Sequence, residues 1–207
     1  MKDFSIPMAL VDFIPVALFA AAAIILQRDL YSKMSKGAFA LFAAGTINII
    51  CAGFGKALYK FLYAANICDF QPLNEMFFPL QSIGFLLAGL GIIAMIFHKQ
   101  TANAAYSVSP VIFTGTMIFV VFMVLGTGLI DLALCILAVR MKKPVLVAVF
   151  AISFVLMLCM GYLSSRDFSG AAINWAVQGI NILAQGLFLY GVINLSKSGL
   201  AEFAFNK

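Results

Sequence analysis

Four amides recur on one helical face near the C-terminal end of the chain: Asn174, Gln178, Asn181 and Gln185, in steps of four, three and four. That rhythm places them in a single stripe. Each amide carries both donors and an acceptor, so the stripe suits hydroxyls, carboxylates or other amides of a ligand. Trp175 stands beside it, and Gln81 offers a further amide. Lys56 supplies a cation, and Asp12, Glu75 and Asp131 supply counter-charges. Every one of these residues has a plainer use. Amides join helices, with Gln and Asn pairs worth about 0.6 kcal/mol on average in membranes. Lysines such as Lys56 and Lys60 snorkel to headgroups. Aspartates cap helix starts, and a tryptophan anchors at the interface. Taken together, the stripe and Lys56 read as a ligand cavity, because convergent polar groups in apolar surroundings are the usual mark of a site.

The surroundings are apolar indeed. Of 207 residues, 64% are hydrophobic and 10% charged, and mean hydropathy is +1.07, more apolar surface than a water-soluble fold of this size can hide. A bilayer accepts it at roughly 20 residues per helical span. The expected fold is therefore all-α: one polytopic transmembrane helical bundle over residues 1–207, without a soluble domain. Lys2 is offset by Asp3, and the first apolar run carries Asp12 and Pro15, so this run reads as a retained span and not a cleaved signal.

Seven spans are expected, at 10–27, 37–59, 76–97, 104–125, 129–141, 145–163 and 171–195. The uncharged stretch from 104 would be too long as one helix, so a turn is placed at Gly126-Thr127-Gly128, which makes Asp131 the start of the fifth span. Charge favours this division. Arg28, Lys33, Lys36, Lys99, Arg140, Lys142, Lys143, Lys197 and Lys207 then lie on one side, against Lys2, Lys56, Lys60 and Arg166 on the other. The excess marks the cytoplasmic side, with the N-terminus outside and the C-terminus inside, in the cell membrane. Gln81 to Leu90 matches Gln178 to Leu187 at Gln, Ile, Leu, Gly and Leu, a shift of 97. This suggests two parallel three-helix repeats, 10–98 and 129–195, joined by a linker span at 104–125. The outline, three plus one plus three, resembles the architecture shared by SWEET-type sugar transporters, the KDEL receptor and the nicotinamide riboside carriers. The likeness is one of topology, without the Pro-Gln dipeptide of the PQ-loop group.

Several chemistries lack their residues. Cys51, Cys68, Cys135 and Cys159 are scattered singly and the one histidine, His98, sits at a helix end, so no metal or haem ligand set is expected and no cofactor. The last span has no lysine for a retinal Schiff base. A serine hydrolase would need a base at depth, and Gly53-Phe54-Gly55-Lys56 is not a nucleotide-binding loop. An enzyme is the least expected class. The net charge of +5 falls at helix ends, where it meets anionic lipid and not nucleic acid. The expected function is a small-solute carrier or facilitator with a polar pocket open to the outside. The alternatives are a ligand-binding receptor or sensor with a partner subunit, and a lipid-interacting accessory subunit, alone or as a homo-oligomer.

Overall fold

The computed structural model describes residues 5–97, 116–164 and 171–203, and these contain helices and no strand. The elements are α1 (Ile6–Val11), α2 (Phe13–Leu30), α3 (Lys36–Ala64), α4 (Gln71–Glu75), α5 (Phe77–Phe97), α6 (Thr116–Arg140), α7 (Pro144–Ser164) and α8 (Ala171–Lys197). Among the described residues, five stretches are long and apolar enough to cross a membrane: Ile6–Leu30, Lys36–Ala64, Gln71–Phe97, Ile118–Arg140 and Ile173–Lys197. Between the last two runs α7, apolar over Pro144–Met160. Large apolar side chains such as Ile24, Val139 and Val145 stand exposed on the outside of the bundle. Water does not tolerate so continuous an apolar exterior, and lipid does.

The helix ends follow from local chemistry. Ser5 and Ser35 cap α1 and α3, their hydroxyls accepting from the Met8 and Ala38 amides. At the end of α3, Asn66 takes a left-handed φ of 55°, and the Ile67 and Asn66 amides donate to the Leu62 and Tyr63 carbonyls. Lys142 does the same after α6 with φ 58°, as Lys143 and Lys142 donate to Ala138 and Val139. Both ends are Schellman motifs, which satisfy carbonyls the helix leaves open. Pro144 then starts α7, so Lys142-Lys143-Pro144 separates two helices at the place the sequence suggests.

One expected boundary is overturned. Gly126-Thr127-Gly128 is not a turn: α6 runs unbroken through it. A break there would strand backbone donors and acceptors in an apolar layer, and the glycine has another use. A methyl on Gly126 would overlap the Phe85 carbonyl carbon, so Gly126 is where α5 and α6 touch backbone to backbone. Asp131 is consequently not a helix start. It lies fifteen residues into α6, about 22 Å along its axis. The span expected at 104–125 falls mostly at 104–115, outside the described residues, as do Lys2, Asp3, His98, Lys99, Arg166 and Lys207.

The helices close a ring in the order α2, α3, α5, α6, α7, α8 and back to α2. α3 is antiparallel to α2, pairing Gln27 with Thr46 and Phe13 with Phe54. It is antiparallel to α5 too, where Gly45 meets Ala88 and Gly91 meets Ala38. α7 is antiparallel to α6, through Cys135 and Val147, and to α8, through Ser153 and Ala184. α5 and α6 are parallel: Phe78 meets Phe119, Phe85 meets Gly126 and Gly89 meets Leu129. α8 and α2 are parallel likewise, Phe188 on Phe19 and Ser196 on Arg28. Two facts about described residues follow. Phe97 and Thr116 lie at opposite ends of the bundle, and so do Ile6 and Lys197.

Burial also recurs along the ring. α5 buries Gly84, Phe85, Ala88, Gly91, Ile92 and Met95. α8 buries Ala184, Gln185, Phe188, Gly191, Val192 and Leu195, the same pattern 100 positions later. In α3, Ala38, Phe42 and Gly45 are buried; in α7, Leu146, Phe150 and Ser153 are, 108 positions later. The shift of 97 that aligns Gln81 with Gln178 does not superpose these faces, since it sets buried Gly84 against half-buried Asn181.

Candidate functional site

The centre of the ring holds a small cavity where five helices converge. α2 contributes Phe19, α5 Phe85, α7 Met157, α8 Gln185 and Phe188, and α6 Thr127, Ile130 and Asp131. Its volume is ≈ 10 Å³, roughly the room for one water molecule. Phe19 stacks on Phe188 with ring centroids 6.0 Å apart, and Phe85 meets Phe19 edge-on at 6.1 Å. These rings make a dry wall. Against it stands Asp131, 4% exposed. Neither of its carboxylate oxygens has a hydrogen-bond partner among the described residues. The Gln185 side-chain oxygen is buried and unpartnered as well. Thr127, also buried, lies one turn before Asp131 on the same face of α6. An intramembrane carboxylate is costly enough to mark a functional site by default.

The amide stripe turns inward in part. Gln178 and Gln185 are buried, Asn174 and Asn181 half-buried, and Trp175 is exposed. Gln185 reaches the cavity, and Gln178 sits two turns nearer the α8 N-terminus with its own oxygen unpartnered. Asn174, Trp175, Gln178 and Asn181 do not line the cavity.

The other charges gather at the ends of the bundle. Of the three acids expected near Lys56, Asp12 pairs with a different lysine. Lys60, one turn later, makes the ion pair with Asp12 at 2.6 Å. Lys56 lies over the Phe77 ring, 3.8 Å from its centroid, a cation–π contact. Lys60 shares the face of Lys56 but lies about 6 Å further along α3, at the level of Asp12. Glu75 ends α4 and is exposed, and Gln81 is half-buried away from the cavity. Of the residues expected to form a pocket open to the outside, Asp131 and Gln185 line the central cavity.

At the opposite end is a cluster the sequence did not flag. Asp29 is buried, and Arg28 beside it donates to its carboxylate at 2.8 Å and to Ser196 at 3.2 Å. Lys33 donates to the Phe203 carbonyl. Partial burial holds Lys33 below the ordinary lysine range, while Glu202 and Asp29 pull it back up. These contacts tie the α2–α3 turn to the segment after α8. Asp29 escaped notice because Arg28-Asp29 reads as part of a solvated turn. The aromatic wall escaped it because Phe19, Phe85 and Phe188 are three of 21 phenylalanines.

Among the described residues no group of three or more His, Cys, Asp or Glu could hold a metal ion, and the four cysteines are free. No family model, curated protein or solved structure matches the chain.

Proposed function

We propose that the protein is an integral membrane carrier or facilitator for a small polar solute, with its working centre at the Asp131–Gln185 cavity. The observation that carries this reading is the cavity itself: unpartnered polar side chains buried where helices from both halves of the chain meet. Phe19 and Phe85 come from the first half, and the polar groups come from the second.

Seven crossings are supported by direction. With α5 and α6 parallel, Phe97 and Thr116 lie at opposite ends of the bundle, as do Ile6 and Lys197, which favours an odd number of crossings. The triplets α2-α3-α5 and α6-α7-α8 then share the same up-down-up order. Their recurring burial supports two parallel repeats about an axis along the membrane normal, with the cavity between them. Rocking of one triplet against the other exposes such a centre to each side in turn. Arg28, Lys33, Lys36, Arg140, Lys142, Lys143 and Lys197 occupy the end opposite Lys56 and Lys60, which supports that end as cytoplasmic and the N-terminus as outside.

A receptor is the second reading, favoured by one feature. Between the cavity and the basic end the core is sealed by Leu26, Ile92, Leu137, Val192 and Leu195, all essentially inaccessible. A carrier opens this seal, and a receptor need not. Purified protein in liposomes separates the two. Tested with radiolabelled amino acids, sugars and nucleosides, it should move at least one, and Gln185→Ala should slow that movement without lowering thermal stability. Saturable binding in detergent with no flux of the bound solute would promote the receptor.

A further inference from the structure

We propose that the central cavity binds one compact monovalent cation, an alkali ion or the proton itself, held by Asp131 with Gln185 and Thr127. The proposal deepens the carrier reading, and depends on it only for what the cation is used for. Three buried oxygens, both of Asp131 and one of Gln185, are hydrogen-bond acceptors without a donor. Among the described residues no lysine, arginine or histidine lines the cavity. The described cations that are placed all lie at the bundle ends, Lys56 over Phe77, Lys60 on Asp12, Arg28 on Asp29 and Lys33 on Phe203.

Buried acceptors that line one cavity without a donating partner are satisfied by a donating water or by positive charge, and an ionised carboxylate among them favours the charge. An isolated carboxylate taken out of water is heavily penalised, and a cation beside it removes most of that penalty. The phenylalanine rings line the cavity with apolar surface and leave the attraction poorly screened. An anion is excluded by sign, and an organic cation by size, since ≈ 10 Å³ admits one water-sized species. Carboxylate, amide and hydroxyl oxygens are hard ligands that suit alkali cations and not soft metals. One negative charge matches one positive charge.

The elements around Asp131 present few other titratable groups. α2, α5, α7 and α8 present none to the cavity. On α6, Cys135 lies one turn further and its thiol donates to the Val147 carbonyl. A cation response at this site therefore traces to Asp131.

The test uses the full chain purified in detergent. Its unfolding temperature is followed while NaCl, LiCl or KCl replaces choline chloride at constant ionic strength, and separately across pH 6 to 8.5 in choline chloride. The expected result is a saturable stabilisation by an alkali ion, or by acid alone, that disappears in Asp131→Asn and persists in Asp12→Asn. Dependence on alkali ion at fixed pH identifies the ion, and dependence on pH alone identifies the proton. Because Asp131→Asn can fail to fold, infrared difference spectra of the wild type with isotope-labelled aspartate provide a second readout. The carboxyl band should shift with the same cation or with acid. Identical responses of wild type and Asp131→Asn, or a carboxyl band indifferent to every cation and to pH, overturn the proposal. Absence of solute flux with the cation response intact would remove the carrier reading and leave the site.

Discussion

Single residues here divide by whether a partner is within reach. Asp12 has one, Lys60, in a pair whose side chains are 10% and 16% exposed. Removing only the lysine strands a carboxylate in a partly buried place. Lys60→Met should therefore destabilise by about 3 kcal/mol or somewhat less, the range for breaking a buried pair. Asp12→Asn combined with Lys60→Met should cost less than Lys60→Met alone, read by thermal unfolding in detergent. An additive double mutant would show that the pair is only a headgroup contact. Asp131 differs because no cation stands against it among the described residues, and the same reasoning that explains Lys60 motivates the cation proposed there. Asp131 and Gln185 were both legible as candidates, since charge and amide are rare in this composition. Their meeting was not legible, because they are 54 positions apart on helices that reach a common cavity only in the folded ring.

At the scale of elements, close packing depends on a few missing side chains. Membrane helices gain little from apolar burial between them, so backbone approach and van der Waals contact carry more of the association. Gly45 against α5 and Gly126 against α5 are the tightest such points: a methyl at either would overlap backbone atoms of Ala88 or Phe85. Backbone cannot swing aside as a side chain can. Gly126→Ala should cost about 1–3 kcal/mol through helix displacement. Gly179→Ala, with nothing within 4 Å, should be neutral or stabilising. Equal melting temperatures for the two variants would remove the backbone contact from the account. The Gly-Thr-Gly turn signal fails for the same reason. Its statistics come from chains in water, where a broken helix finds solvent partners, whereas here the glycine serves contact inside a continuous helix.

For the whole molecule, direction is the main result. Ile6 and Lys197 lie at opposite ends, and the turn after α3 lies at the end opposite the turn after α2. Cys68, exposed after α3, and Ser198, after α8, should thus lie on opposite sides of a membrane. In intact cells a membrane-impermeant maleimide should label Cys68 and spare Ser198→Cys, which should react only after permeabilisation. Labelling of both from outside would overturn the odd number of crossings, and labelling of Ser198→Cys alone would invert the orientation.

Composition and hydropathy already dictate helices in an apolar solvent, because only helices and closed barrels satisfy the backbone there, and continuous apolar runs lack the alternation of a barrel. The spacing of Asn174, Gln178, Asn181 and Gln185 likewise dictates that they share a face. Period and polarity are local, so they can be read along a line of residues. What lies beyond a line is register and direction between distant helices. Whether Gly126 turns or packs, whether Lys56 or Lys60 finds Asp12, and whether Asp131 sits at a surface or at the centre all depend on neighbours brought together by the ring. Apolar side chains of similar size carry little information about which helix they will face. The closeness of backbone at Gly126 and the dry wall of Phe19, Phe85 and Phe188 exist only after packing, and they turn an ordinary aspartate into a buried one.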